Sequence, residues 1–195
     1  MDSGNLELIK WCYYNGCQWN EDACSEAAKK GKIEILQWLV ANGCPWDEYT
    51  CSGCTVDDGN FEMLKWARSN GCPWDKTTSI QAAYSGHYQS LKWAIENGCP
   101  VDEAVCQEIA RSGKLEILKW VKSKGCPWNE ETCNDAAEHG HLELLKWAIE
   151  SGCSHSEELF YRAARSGYLE ILKWGIDNGY KWDKKTKKLI ETMAI

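Results

Sequence analysis

Twelve cysteines and four histidines are the residues of this 195-residue chain best suited to chemistry. Cys51-Ser-Gly-Cys54 has the two-residue spacing of redox dithiols and of zinc half-sites. His139-Gly-His141 adds two imidazoles a few residues beyond Cys133, so a thiol- or zinc-binding protein is one reading. Structural zinc takes four donors, however, and no second Cys-x-x-Cys pair stands at zinc spacing. Catalysis has less support. No Gly-x-Ser-x-Gly, His-Glu-x-x-His or phosphate-loop sequence occurs, and carboxylates fall at helix starts and on exposed helix positions, so neither an enzyme nor a cofactor is expected.

The cysteines are periodic, and the period belongs to the whole chain. Gly-Cys pairs end at Cys17, Cys44, Cys72, Cys99, Cys126 and Cys153, and Gly179-Tyr180 closes the series. Trp11, Trp38, Trp66, Trp93, Trp120, Trp147 and Trp174 recur every 27 residues, with one step of 28 at the Val56–Asn60 stretch VDDGN. The sequence therefore predicts a single domain over residues 1–195, built of about seven units with a half-unit cap at each end.

Each unit reads as two short helices. In the stretch from His141 to Gly152, Leu142, Leu145, Ala148 and Ile149 share one helical face. Glycine follows at Gly16, Gly43, Gly71, Gly98, Gly125, Gly152 and Gly179, where a left-handed residue ends the helix. Three residues past the cysteine position come Asn20, Asp47, Asp75, Asp102, Asn129, Ser156 and Asp183, each expected to cap the next helix. That helix ends in small residues, as in Ala136-Ala137 and Ala163-Ala164, which allow close helix approach. The seven tryptophans at one helical position are expected to form a ladder in the core.

These units resemble ankyrin repeats. The resemblance rests on Gly140-His141-Leu-Glu-Leu-Leu-Lys, on Gly43-Cys44-Pro45-Trp46-Asp47 in place of Gly-Ala-Asp-Val-Asn, on Thr132-Cys133 in place of Pro-Leu, and on the Ala-Ala-x-x-Gly ending. The period of 27 is shorter than the family's roughly 33, with the loss falling in the projecting β-hairpin finger. The resemblance implies an all-α solenoid of stacked helix-loop-helix repeats that lacks or shortens the finger. Short Trp- and Cys-rich units of this kind are similar to arrays of protists and giant DNA viruses. They imply a non-enzymatic protein-protein interaction scaffold or adaptor, in that setting one that engages a host protein, with a partner of unknown identity.

On this reading the cysteines fill core positions. Equivalent cysteines of adjacent units stand about 8–10 Å apart, one helix packing distance, beyond the roughly 7 Å that a disulfide allows between Cα atoms. Cys24, Cys51, Cys106 and Cys133 form a second series in which Ser79 and Phe160 substitute. His87 and His141 stand where ankyrin units place a structural hydrogen bond. The net charge of −7 disfavours nucleic acid and anionic membranes, and the basic run Lys181–Lys188 leaves −11 on the remainder. With no apolar span and no secretory leader, a cytoplasmic or nuclear monomer is expected, in the host cell if viral. The resemblance places the binding face on the first helix of each unit. The position after Ala-Ala carries Lys29, Tyr84, Arg111, Glu138 and Arg165; earlier in the helix come Tyr49, Ser52, Gln81, Gln107, Asn134, Tyr161 and Arg162. Tyrosine and arginine there are the types enriched at interface hot spots.

Overall fold

The structure is a computed structural model that describes residues 3–57 and 60–193. Asp58 and Gly59, the centre of the stretch that breaks the period, lie outside the described residues. The chain divides into two compact units, Met1–Pro100 and Val101–Ile195. The first holds α1 (Ser3–Tyr14), α2 (Glu21–Lys29), α3 (Ile33–Ala41), α4 (Glu48–Gly53), α5 (Phe61–Ser69), α6 (Lys76–Tyr84) and α7 (Tyr88–Glu96). The second holds α8 (Glu103–Arg111), α9 (Leu115–Ser123), α10 (Glu130–Glu138), α11 (Leu142–Glu150), α12 (Glu158–Arg165), α13 (Leu169–Asp177) and α14 (Lys184–Met193). Among the described residues there is no strand, and Asn42 to Asp47, joining α3 to α4, form only a turn and a short extended link. Among the described residues the finger is absent.

Within the first unit α2, α4 and α6 pack in sequence, and within the second α8, α10, α12 and α14 do. Each of these first helices except α14 also packs on the helix that follows it. The row is close because its contact face is small: Ala28, Ala82, Ala83, Ala110, Ala136, Ala137 and Ala163 are wholly buried. In the irregular repeat Gly53 replaces a side chain, and a Cβ there would come within 3.0 Å of the Ser25 carbonyl. That glycine lets α4 lie against the backbone of α2.

From Trp38 onward, the leucine two residues before the repeated tryptophan carries the core. Leu36, Leu64, Leu91, Leu118 and Leu145 are wholly buried. The expected tryptophan ladder is corrected. Trp11 is 62% exposed, and the other six are half-buried. Rather than stacking on each other, three of them meet the tryptophan of the preceding Cys-Pro-Trp turn edge to face: Trp46–Trp66 at 5.9 Å, Trp74–Trp93 at 5.8 Å and Trp128–Trp147 at 5.7 Å between centroids. Leucine, alanine and cysteine fill the narrow space between helices, and the larger rings close its rim in the tilted geometry their quadrupoles favour.

The helix ends follow the sequence with two corrections. The seven glycines that end the second helices, such as Gly43 at φ +79°, are all left-handed. Asp47, Asp75, Asp102, Asn129 and Asp183 accept from backbone N–H groups of the next helix. Asn20 instead donates its amide to Asp22. Ser156 makes no cap either, because α12 begins late with Glu157 as the preceding residue. There His155 replaces the usual tryptophan and packs on Tyr180 at 5.7 Å.

Phe160 shows how the core absorbs a large residue at a cysteine position. Its ring lies 5.2 Å from Tyr180, and Gly175 replaces the alanine found at Ala67, Ala94 and Ala148. A Cβ on Gly175 would stand 2.3 Å from Phe160 Cε1. The loss of one methyl makes room for the ring.

Candidate functional site

The first helices bring the variable positions into rows, one in each unit. In the first unit Tyr49 is 55% exposed and Tyr84 is 71% exposed. Gln81, beside Tyr84 on α6, is half-buried and donates to Ser85 Oγ at 2.9 Å. Lys29 pairs with Glu26 at 3.0 Å on its own helix. Ser52 is buried and is not a surface position.

In the second unit the row is cross-linked. Arg162 on α12 reaches Glu131 at 2.8 Å, Glu138 at 3.4 Å and Asp135 at 3.7 Å on α10. Arg165 pairs with Glu138 at 2.6 Å, and Arg111 on α8 reaches Asp135 at 3.3 Å. Gln107 donates to Asn129 Oδ1 at 3.2 Å. Tyr161 lies half-buried with Lys185 Nζ 3.5 Å from its ring centroid. Asn134 is corrected as a surface residue: it is 1% exposed, its amide donates to Glu131, and its Oδ1 has no partner. Arg111, Glu138, Arg162 and Arg165 thus form one network, with only Arg111 and Arg165 also facing solvent.

Asp135 is the centre of that network. Burial raises its pKa above the ordinary carboxylate value, and Arg111 and Arg162 offset this only in part. Burial works against the charge of Arg162, but Glu131, Glu138 and Asp135 together hold its pKa above the usual value.

Three of the four histidines serve the backbone. His87 Nδ1 meets the Thr55 carbonyl at 2.8 Å, and His141 Nε2 meets the Arg111 carbonyl at 2.9 Å, as the Gly-His reading expects. Asn60 does the same in the irregular repeat, donating to the Ala28 carbonyl at 3.2 Å. His139 bonds the Asp135 carbonyl at 2.9 Å. Among the described residues no group of three or more His, Cys, Asp or Glu could hold a metal ion.

Ten of the twelve cysteines are buried, and Cys51 and Cys54 of the Cys-x-x-Cys stretch are wholly so. Burial pushes the Cys54 thiol up to about 12, so it is not a ready nucleophile. The Gly-Cys series has a bonding role that spacing alone did not reveal. From Cys44 onward each thiol reaches the carbonyl of the residue just before the preceding first helix: Cys44 to Asn20 at 3.4 Å, Cys72 to Asp47 at 3.5 Å, Cys99 to Asp75 at 3.3 Å, Cys126 to Asp102 at 3.5 Å and Cys153 to Asn129 at 3.2 Å. Alanine would fill the space without making that link between successive repeats.

The two cysteine series also meet each other. Cys106 Sγ lies 3.6 Å from Cys126 Sγ, and Cys24 with Cys44, Cys51 with Cys72 and Cys133 with Cys153 interact likewise. Equivalent cysteines stand a full helix spacing apart, whereas these unlike pairs, separated by 20 or 21 residues, are brought together. A partial signal was present: both positions change in the last repeat, to Phe160 and Tyr180, although Ser79 keeps Cys99 as its partner.

Comparison with known proteins agrees with the architecture. Residues 133–174 match the family model described as ankyrin repeats (many copies). No curated protein matches the chain. Among solved structures, the crystal structure of the human ASB11 ankyrin repeat domain is similar at 17% identity, covering 81% of this chain and 84% of that one with a TM-score of 0.62. The fold is thus that of an ankyrin repeat solenoid.

Proposed function

We propose that this chain is a non-enzymatic protein-binding scaffold, and that its first-helix rows carry the contact. The observation behind this reading is the exposure of Tyr49 and Tyr84 on one row of helices, where large rings face solvent at positions the fold leaves free. Ankyrin repeats generally mediate protein-protein interaction, which supports the same reading. Arg111 and Arg165 offer the equivalent positions in the second unit, on a row already held in place by ion pairs. The short Trp- and Cys-rich repeat favours a viral or protist adaptor that engages a host protein. Twelve free thiols suit a reducing compartment, cytosol or nucleus, where the chain acts as a monomer.

Capture of partners from a lysate by the full chain tests the assignment. Tyr49→Ala with Tyr84→Ala is expected to abolish capture while leaving the helical circular dichroism unchanged. Glu116→Ala, an exposed position on the second helix α9 outside the row, serves as the control. Capture that survives the double substitution rejects the tyrosine row as the binding surface.

A further inference from the structure

The paired cysteines have a property that core packing does not require. In four repeats a first-helix cysteine faces a Gly-Cys cysteine: 24 with 44, 51 with 72, 106 with 126 and 133 with 153. Where the first-helix residue is not cysteine, the site is satisfied differently. Ser79 donates its hydroxyl to the Pro100 carbonyl at 2.7 Å beside Cys99, and Phe160 packs on Tyr180. A single cysteine therefore suffices for the link to the earlier repeat, and the second sulfur is additional.

The surroundings of Cys106 and Cys126 favour attack by sulfur. Both are buried, at 0% and 1% exposure, with the sulfurs already 3.6 Å apart. Lys122 Nζ is bonded to the Cys126 carbonyl at 2.7 Å and lies 4.1 Å from the Trp128 ring centroid, which fixes a cation beside the pair. The Cys106 S–H bond to Cys126, helped by that lysine, lowers the Cys126 pKa against the effect of burial. Arg68 is placed alike beside the 51–72 pair, bonded to the Cys72 carbonyl and 4.0 Å from the Trp74 ring centroid.

We propose that these Cys–Cys pairs are oxidation sites, at which a small hydroperoxide converts each buried dithiol into a disulfide that joins a first helix to the next Gly-Cys turn. The Cys126 thiolate attacks one oxygen of hydrogen peroxide, the O–O bond breaks, and the departing hydroxide takes a proton to leave as water. Cys106 sulfur then attacks the resulting sulfenic sulfur. An S–S bond forms, the S–O bond breaks, and the hydroxide leaves as water with the Cys106 proton. Two thiols and one peroxide give one disulfide and two waters, a two-electron oxidation. The sulfurs must close by roughly 1.5 Å to reach bonding distance. Metal binding fits the site less well. Zinc takes four donors, and a soft monovalent cation between two thiolates leaves a net charge in a place that penalises it, whereas a disulfide is neutral. Oxidation also removes the Cys126 S–H, and with it the bond to the Asp102 carbonyl of the preceding repeat.

The second unit offers a clean test, because its only cysteines are Cys106, Cys126, Cys133 and Cys153. The full chain, reduced and then treated with stoichiometric hydrogen peroxide, is blocked with N-ethylmaleimide and cut with a glutamate-specific protease. Cleavage at Glu103, at Glu108 or Glu116, at Glu130 or Glu131, and at Glu138, Glu143 or Glu150 separates these cysteines from one another and from Cys99. Mass spectrometry is expected to show Cys106 linked to Cys126 and Cys133 to Cys153, reversed by dithiothreitol, with Cys99 still blocked as a thiol. Cys106→Ser, which reproduces the serine already present at Ser79, is expected to abolish the first link and keep the second. Four unmodified thiols in the folded chain, links between chains, a Cys126–Cys133 link or sulfinic acids without any link each overturn the proposal. So does a reduced chain that retains stoichiometric copper(I) through desalting and then resists peroxide.

Discussion

Adding one methyl group at Gly175 changes sign depending on what faces it. A Cβ at this position in α13 would lie 2.3 Å from Phe160 Cε1, 2.9 Å from Cζ and 3.1 Å from Cδ1. Carbon contacts relax at about 3.5 Å or beyond, so ring or helix must yield by roughly 1 Å. Overpacking of this kind costs about 1–3 kcal/mol, against about 1 kcal/mol that alanine gains over glycine inside a helix. Gly175→Ala is therefore expected to destabilise the chain by about 1 kcal/mol. Phe160→Cys alone leaves a cavity and costs about 3 kcal/mol. With both substitutions the site becomes the Cys133–Ala148 pair of the preceding repeat, where both residues are wholly buried. In that background the same Gly175→Ala change should stabilise by about 1 kcal/mol, giving a coupling of about 2 kcal/mol. Urea unfolding of the four proteins measures it. If alanine stabilises equally in both backgrounds, with coupling below about 0.5 kcal/mol, the size-compensation argument is wrong.

Two further expectations concern buried polar groups. Thr132 Oγ1 is buried without a partner, and Val105 and Leu159 occupy the same repeat position; Thr132→Val should stabilise by about 1 kcal/mol in urea unfolding, since no hydrogen bond is lost. The raised pKa of Asp135 fixes a sign. A carboxyl whose folded pKa exceeds its unfolded one contributes stability that is fully present below the unfolded value, ordinarily about 3.9, and is lost as pH rises through the folded value. Comparison of stability–pH curves for the native chain and Asp135→Asn should show that fall over this range, and a contribution that grows with pH instead would refute it.

The fold was legible because each repeat states its own boundaries. Gly43 ends a helix, Asp47 caps the next, and six further copies of that frame leave little choice of period. The failures share a cause: a one-dimensional period relates equivalent positions and is silent about unlike ones. Trp46 meeting Trp66, or Cys106 meeting Cys126, joins two different series, which only the packing of one helix against the next loop decides. Asn134 was misplaced for a related reason. Its equivalents Gln107 and Tyr161 are half-buried, and its own side chain turns inward toward Glu131 beneath the ion pairs of Arg162. Exposed variable residues such as Tyr84 were readable; whether charged ones were free or already engaged was not.

The short thiol, histidine and arginine links have a kinetic consequence. Cys44 reaches back 24 residues to Asn20, His87 reaches 32 to Thr55, and Arg165 reaches 27 to Glu138. Each such contact closes only a small loop, so little chain entropy is spent before it forms. A chain joined this way has low contact order and should fold quickly, with any adjacent pair of repeats able to serve as the nucleus. During synthesis the early repeats can complete their contacts while later ones are still being made.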